Sequence, residues 1–114
     1  MNITFRQMRL FLALADTGSV SGAARAMHVT QPTASMQLRE IAQTVGLPLY
    51  ELVGRKIHLT QVGHELAATV RAMMQSWDGF EQQVDALKGL SRGKLRVAAV
   101  STAKYFIPRL VGTF

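Results

Sequence analysis

The sequence contains no cysteine, only three prolines and one tryptophan among its 114 residues. The absence of cysteine excludes disulfide bonds, thiolate metal sites and cysteine nucleophiles. No apolar run approaches the ~20 residues of a membrane span, and the run at residues 10–15 is shorter than the ~7–15 residues of a signal-peptide core. We therefore expect a cytoplasmic protein without a membrane partner.

Acidic residues are also few, seven against thirteen lysines and arginines, which gives a net charge of +6. A positive net charge is compatible with a nucleic-acid partner. However, residues 1–65 hold six basic and four acidic residues, whereas residues 66–114 hold seven and three. Because most of the excess lies in the second part, net charge by itself indicates little about function.

The sequence has little of what an enzyme needs. Its three histidines, His28, His58 and His64, are predicted to lie in a turn, a strand and a helix. The sequence shows no carboxylate pair, no phosphate-binding loop and no nucleophile with the residues that would activate it. His28 is interpreted as a turn residue that tolerates a positive φ. We expect no enzymatic activity, no cofactor and no metal site.

Residues 20–45 show the spacing of a helix-turn-helix, with a turn at residues 28–30. Small residues at positions 24 and 34 allow the two helices to cross closely. The predicted buried positions are Ala23, Ala24 and Met27 in the first helix and Ala34, Leu38, Ile41 and Val45 in the second. The alternative is an ordinary pair of packed helices, which produces the same periodicity.

The start of the second helix favours DNA recognition. Thr30 is a good N-cap, and Pro32 is tolerated in the first turn. Gln31 then lies at the end of the helix that enters the major groove in this motif. We predict DNA contacts from this helix by Thr30, Gln31, Pro32, Ser35, Met36 and Arg39.

A capping box predicts the start of a preceding helix, with Thr4 as N-cap and Gln7 three residues later. Ile3 is expected to pack on Met8, and Gly18 to end the helix. The predicted buried stripe comprises Met8, Phe11, Leu12 and Ala15.

Two short extended runs follow residue 46, at residues 50–53 and 57–59. Gly54 supplies the positive φ of a hairpin tip, and Arg55 and Lys56 are expected to be exposed beside it. We interpret this hairpin as a wing whose cations contact phosphate or the minor groove. The alternative is a solvated basic turn.

Thr60 is predicted to cap a long helix that ends near residue 87. Its apolar residues alternate in steps of four and three over three heptads, which is typical of a coiled coil. We predict dimerisation through Leu66, Val70, Met73, Trp77, Phe80, Val84 and Leu87. Packing within one chain is the alternative.

Glycine and serine at residues 88–93 predict a break in this helix. A buried strand at residues 95–100 and a helix at residues 103–114 are expected to follow. One strand and one helix do not form a stable sheet, so we expect a second domain to begin here. The predicted segments are a DNA-binding domain at residues 1–60, a linker helix at 61–89, a hinge at 90–93 and a domain stub at 94–114.

The chain resembles the LysR-type bacterial transcription regulators over its whole length. The resemblance lies in FRQMRLFLALADTGSVSGAARAMHVTQPTASMQLREIAQTVGLPLYELVGRKIHLTQVG, in the long helix and in GKLRVAAVSTAKYFIPRL. VTQPTASMQ and VAAVSTAKYFIPRL are most similar to regulators of carbon-dioxide-fixation operons. The resemblance implies a mainly α winged helix-turn-helix, a linker helix that pairs with a second subunit, and an α/β effector domain like a periplasmic binding protein.

The resemblance also implies roles for particular residues. The groove contacts of the family fall on Gln31, Pro32 and Ser35, and its wing arginine on Arg55. Many members have arginine where this chain has Met36 and Leu52, which leaves the operator sequence open. The effector site of the family falls on Ser101 and Thr102, whose hydroxyl groups suit an anionic metabolite.

We therefore expect a transcription regulator that binds double-stranded DNA as a homodimer, with a tetramer as a further option for the full-length protein. A small-molecule effector is expected only with the missing effector domain. The alternatives are a LysR-type regulator of another metabolic pathway and a helix-turn-helix used only for protein contacts.

Overall fold

The computed structural model describes the backbone of residues 1–97 and the side chains of residues 1–90. Four helices and two strands follow in the order α1 (Phe5–Thr17), α2 (Val20–Ala26), α3 (Gln31–Val45), β1 (Tyr50–Val53), β2 (Lys56–Leu59) and α4 (Gln61–Val97). The predicted mainly α winged helix-turn-helix with a long helix after it is confirmed. The described backbone divides into two compact units, Met1–Gln75 and residues 76–97.

The capping box at the start of α1 is confirmed. The backbone N–H of Gln7 donates to Thr4 Oγ1 at 3.0 Å, and the N–H of Thr4 donates to Gln7 Oε1 at 3.0 Å. Gly18 ends the helix with φ 78°, a left-handed conformation that glycine adopts without strain.

The predicted buried stripe of α1 is only partly correct. Phe11 is buried, but Met8, Leu12 and Ala15 are only half-buried. Leu10 and Leu14, which the prediction left out, are buried with Phe11. The reason is that α1 packs against both α2 and α3, so its buried face is wider than a single stripe.

One hydrophobic core joins the three helices to the segments that follow them. Its buried members are Leu10, Phe11, Leu14, Ala23, Ala24, Ala34, Leu38, Ile41, Leu49 and Ala67. Every helix-turn-helix position that the sequence predicted as buried lies in this core or packs against it. Residues from the hairpin, such as Ile57 and Leu59, pack on the same core.

The two strands form an antiparallel hairpin in which Val53 pairs with Lys56 and Tyr50 with Leu59. The turn consists of Gly54 and Arg55, and Gly54 has the predicted positive φ, 66°. Lys56 was expected at the hairpin tip but belongs to β2, since a two-residue turn is sufficient to reverse the chain.

Helix α4 begins after Thr60, whose Oγ1 accepts the N–H of Gly63 at 3.1 Å, as expected for an N-cap. The helix continues to Val97, so the predicted break at residues 88–93 and the hinge at 90–93 are wrong. Glycine lowers helix propensity by ~1 kcal/mol but, unlike proline, keeps its N–H for the helical hydrogen bond. Residues 95–97, predicted as strand, are helical as well.

The other predictions for the end of the chain lie outside the described residues. These are the remainder of the strand at 95–100, the helix at 103–114 and the effector contacts Ser101 and Thr102. Within residues 1–97, no helix combines the length and apolar character that crossing a membrane requires.

Candidate nucleic-acid interface

Close packing between α2 and α3 fixes the direction of α3. Ala23 and Ala34 are completely buried and Ala24 nearly so, so that no large side chain separates the two helices. His28 occupies the turn with φ 58°, as its interpretation as a turn residue predicted. The N–H of Val29 donates to the carbonyl oxygen of Ala24 at 3.0 Å, which ties the turn to α2.

The N-terminal end of α3 is held by Thr30. Its Oγ1 accepts the N–H of Thr33 at 3.3 Å and donates to the hydroxyl group of Thr33 at 2.9 Å. Pro32 lies in the first turn, where it removes no helical hydrogen bond. Gln31 is exposed beside it, at the first position of the helix.

We call the exposed side of α3 the α3 face, made up of Gln31, Pro32, Ser35, Met36 and Arg39. All of these are exposed except Ser35, which is half-buried. Steps of three and four residues place Pro32, Ser35, Met36 and Arg39 on one side of the helix, with Gln31 at its edge and the buried Ile41 on the other side. The face offers an amide, a hydroxyl, a thioether and a guanidinium group.

Helix α1 also reaches the neighbourhood of α3, which sequence reasoning did not predict. Gln7 Nε2 donates to Glu40 Oε1 at 3.5 Å, so the residue that closes the capping box also contacts the acidic residue of α3. Arg6 lines a shallow cleft together with Thr33 and Gln37, and its Nη2 donates to the carbonyl oxygen of Met27 at 3.5 Å. Spacing along one helix cannot indicate such contacts between helices.

The hairpin is anchored through β2, and its turn is exposed. The N–H of Ile57 donates to the carbonyl oxygen of Gly18 at 3.1 Å, which ties β2 to the end of α1. Arg55 in the turn and Lys56 at the start of β2 are both exposed. Among the side chains that the structure describes, neither cation forms an ion pair, and the same is true of Arg39. Three cations are therefore available to a negatively charged partner.

The predicted dimerisation residues of α4 fall into two groups. In the first unit, Val70 is completely buried within its own chain, so it does not face a second subunit. Leu66 is half-buried against the core. The heptad assignment is corrected for Val70. The assignment is wrong at Val70 because periodicity does not indicate whether the partner belongs to the same chain.

The remaining large residues of the heptad are exposed, and we call Met73, Trp77, Phe80 and Leu87 the α4 stripe. Their exposed fractions are 43%, 46%, 53% and 66%. The rings of Trp77 and Phe80 lie 5.4 Å apart between centroids with their planes at 41°. Val84, between them and Leu87 in the heptad, is half-buried.

Within the described part of the chain, no three histidine, aspartate or glutamate side chains lie close enough together to hold a metal ion. The exposed polar groups of α3 and of the hairpin are suited to hydrogen bonding and to the attraction of anions.

The chain is similar to known DNA-binding proteins. The family model described as "Bacterial regulatory helix-turn-helix protein, lysR family" matches residues 5–64. The HTH-type transcriptional activator CmpR of Synechocystis sp. is 41% identical over 113 residues, 99% of this chain and 37% of that protein. The RuBisCO operon transcriptional regulator of Allochromatium vinosum is 42% identical over 114 residues, 100% of this chain and 38% of that protein.

Among solved structures, the CbnR_DBD–DNA complex is similar with a TM-score of 0.61 and 31% sequence identity. The similarity covers 86% of this chain and 100% of that one. The chain thus corresponds in fold to a unit that was crystallised with DNA, and it spans little more than a third of the length of the two curated relatives.

Proposed function

The chain belongs to the LysR family of bacterial regulatory helix-turn-helix proteins, and we propose that it acts as a sequence-specific DNA-binding transcription regulator that binds its operator as a homodimer. The observation that carries the proposal is the α3 face. It is exposed, it presents short polar groups, and its N-terminal end is held in place by Thr30.

In the proposed complex, α3 lies in the major groove with its N-terminal end against the bases, as recognition helices do. The Gln31 amide then bonds an adenine edge, and Ser35 bonds a base or a phosphate oxygen. Pro32 contacts the same groove without a donor group. Thr30 and Arg39 lie on either side of these residues and contact the phosphate backbone.

The hairpin supplies contacts that do not depend on sequence. Arg55 and Lys56 are exposed and have no anionic partner among the described side chains. We propose that they contact phosphate groups or the minor groove next to the groove occupied by α3. Such contacts fix the position of the protein on the duplex and contribute affinity for any sequence.

Dimerisation is assigned to the α4 stripe. Three large apolar residues with 43–53% of their surface exposed, Met73, Trp77 and Phe80, are an unusual feature for a helix surrounded by water. A second copy of α4 would cover them, and the family resemblance favours antiparallel pairing. Two recognition helices would then meet two half-sites spaced by whole turns of the duplex. A tetramer is proposed for the longer protein only.

The regulated pathway is proposed from the relatives. One of them is named a regulator of a RuBisCO operon, which supports control of carbon-dioxide-fixation genes by this protein. A small-molecule effector, with Ser101 and Thr102 among its contacts, is proposed for the longer protein. Since its partner is DNA, we propose the bacterial cytoplasm as its location.

Salt dependence of binding is the test that separates DNA recognition from a helix-turn-helix used for protein contacts. Release of counterions makes protein–DNA affinity fall linearly with salt on logarithmic scales, with a slope of ~0.9 for each phosphate contacted. We expect the 114-residue chain to select a dyad sequence from a random pool of duplexes and to lose affinity steeply between 50 and 200 mM salt. Failure to enrich any sequence would overturn the proposal.

A further inference from the structure

Met36 is an apolar side chain in the middle of a polar surface. It is 46% exposed, whereas Leu38 and Ile41 of the same helix are at most 1% exposed. Pro32 precedes it by four residues, and Arg39 and Glu40 follow it by three and four, so all three are its neighbours on the helix surface. The fold therefore leaves the methionine outside the core, on the exposed side of α3 and about one turn from Pro32.

The surroundings of Met36 do not suit a protein partner. Protein-binding patches are contiguous apolar surfaces of several hundred Å², whereas the neighbours of Met36 at helical spacing are one apolar ring, Pro32, and the polar or charged groups of Thr33, Arg39 and Glu40. A small apolar spot with a guanidinium group beside it instead matches a small apolar group that lies close to negative charge. In the major groove, that group is the C5 methyl of thymine, the apolar group that an unmodified base pair presents there.

The thioether also excludes other base contacts. It carries no hydrogen-bond donor, so it cannot bond O6 and N7 of guanine as an arginine at this position would. Opposite cytosine, it would cover the N4 amino group without accepting a strong hydrogen bond. Three rotatable bonds and a polarisable sulfur allow the side chain to adapt to a methyl group.

We propose that Met36 recognises the C5 methyl group of a thymine in each half-site and thereby selects an A·T pair at that position. The inference rests on the proposed DNA-binding function and adds to it the identity of one recognised base. It predicts a preference that hydrogen-bonding residues do not produce: thymine over uracil, which differ only by the methyl group.

The test uses a duplex that the chain has selected from a random pool. Each thymine in one half-site is replaced in turn by deoxyuridine, and the dissociation constants are measured for the wild type and for Met36→Ala. At one thymine we expect a loss of about fourfold for the wild type, the factor that corresponds to ~0.8 kcal/mol for one buried carbon. For Met36→Ala the same replacement should change affinity less than about 1.5-fold, a difference of ~0.24 kcal/mol.

Two further variants complete the design. Met36→Leu keeps an apolar side chain and should retain the preference for thymine. Leu47→Ala removes an apolar side chain that is 53% exposed but lies beyond the C-terminal end of α3, so it should leave the thymine-to-uracil ratio as in the wild type.

The possible outcomes distinguish failure of the proposed DNA-binding function from failure of the role of Met36. If no duplex is selected, the proposed function fails and the role of Met36 fails with it. If a duplex is selected but no uracil replacement weakens the wild type, or the same replacement weakens Met36→Ala equally, the role of Met36 alone is overturned.

Discussion

A Cβ atom on Gly63 would collide with the backbone carbonyl oxygen of Leu49. That carbonyl is fixed, because it accepts the N–H of Thr60 at 3.1 Å, and the Oγ1 of Thr60 donates to the neighbouring carbonyl of Pro48 at 2.8 Å. Only glycine allows the first turn of α4 to lie against the segment between α3 and β1. The hairpin that carries Arg55 therefore depends on a residue in the following helix.

Gly63→Ala is expected to destabilise the protein, although alanine favours helices by ~1 kcal/mol over glycine. Forcing a methyl group into this packed contact should cost ~1–3 kcal/mol, net of that gain, because a backbone atom must move. The free energy of unfolding in urea is the measurement. Gly79→Ala is the matched control, because a Cβ there meets nothing within 4 Å, and it should raise stability by ~0.5–1 kcal/mol. A Gly63→Ala protein as stable as the wild type would contradict the packing argument.

Local signals in the sequence were sufficient for much of the fold. The capping box of Thr4 and Gln7, the positive φ of His28 and the glycine of the hairpin turn each depend on a few adjacent residues. Such features are decided by backbone sterics and short hydrogen bonds, which the residue types alone indicate. The α3 face follows in the same way, from helical periodicity and an N-cap.

Features that depend on distant contacts were not predictable. No residue near Gly63 in the sequence indicates that Leu49 approaches it. The heptad pattern that includes Val70 is identical whether the helix packs on its own chain or on another. The end of α4 was misplaced for a different reason. Glycine weakens a helix by an amount that the rest of the helix can offset, so Gly89 did not end it.

Arg55→Ala is expected to weaken binding to all duplexes alike. A cation that meets phosphate carries little sequence information, and its loss should reduce the salt slope by about one. Titrations of specific and random duplexes at several salt concentrations measure both effects. Lys88→Ala removes the same charge from an exposed position on α4, distant in sequence from the hairpin, and controls for net charge. Unchanged affinity of Arg55→Ala for both duplexes would remove the hairpin from the interface.

Gln31→Ala should instead reduce specificity. An amide that bonds an adenine edge contributes ~1–3 kcal/mol of discrimination, so we expect a loss on the selected duplex and little change on random DNA. Gln43→Ala provides the control, because Gln43 is exposed on the same helix about 18 Å farther along at ~1.5 Å per residue. Equal losses of Gln31→Ala on both duplexes would show that the amide contacts only the backbone.

Trp77→Ala is expected to weaken the dimer. Trp77 is 46% exposed within one chain and lies against Phe80, so a second copy of α4 would bury two aromatic rings from each chain. Removing a central aromatic residue from an interface costs at least ~2 kcal/mol, which raises the dissociation constant about thirtyfold. Sedimentation of the wild type and the variant over a range of concentrations measures this change.

Leu52→Ala is the control for that experiment, because Leu52 is 65% exposed on β1 and outside the α4 stripe. It removes exposed apolar surface without altering α4, so its dissociation constant should equal that of the wild type. Dimerisation should also affect DNA binding. At concentrations where Trp77→Ala is monomeric, its affinity for a duplex with two half-sites should fall to its affinity for a single half-site. The reason is that binding to the second half-site is then no longer intramolecular. A wild-type monomer at all concentrations, or a Trp77→Ala dimer of undiminished affinity, would rule out the α4 stripe as the subunit interface.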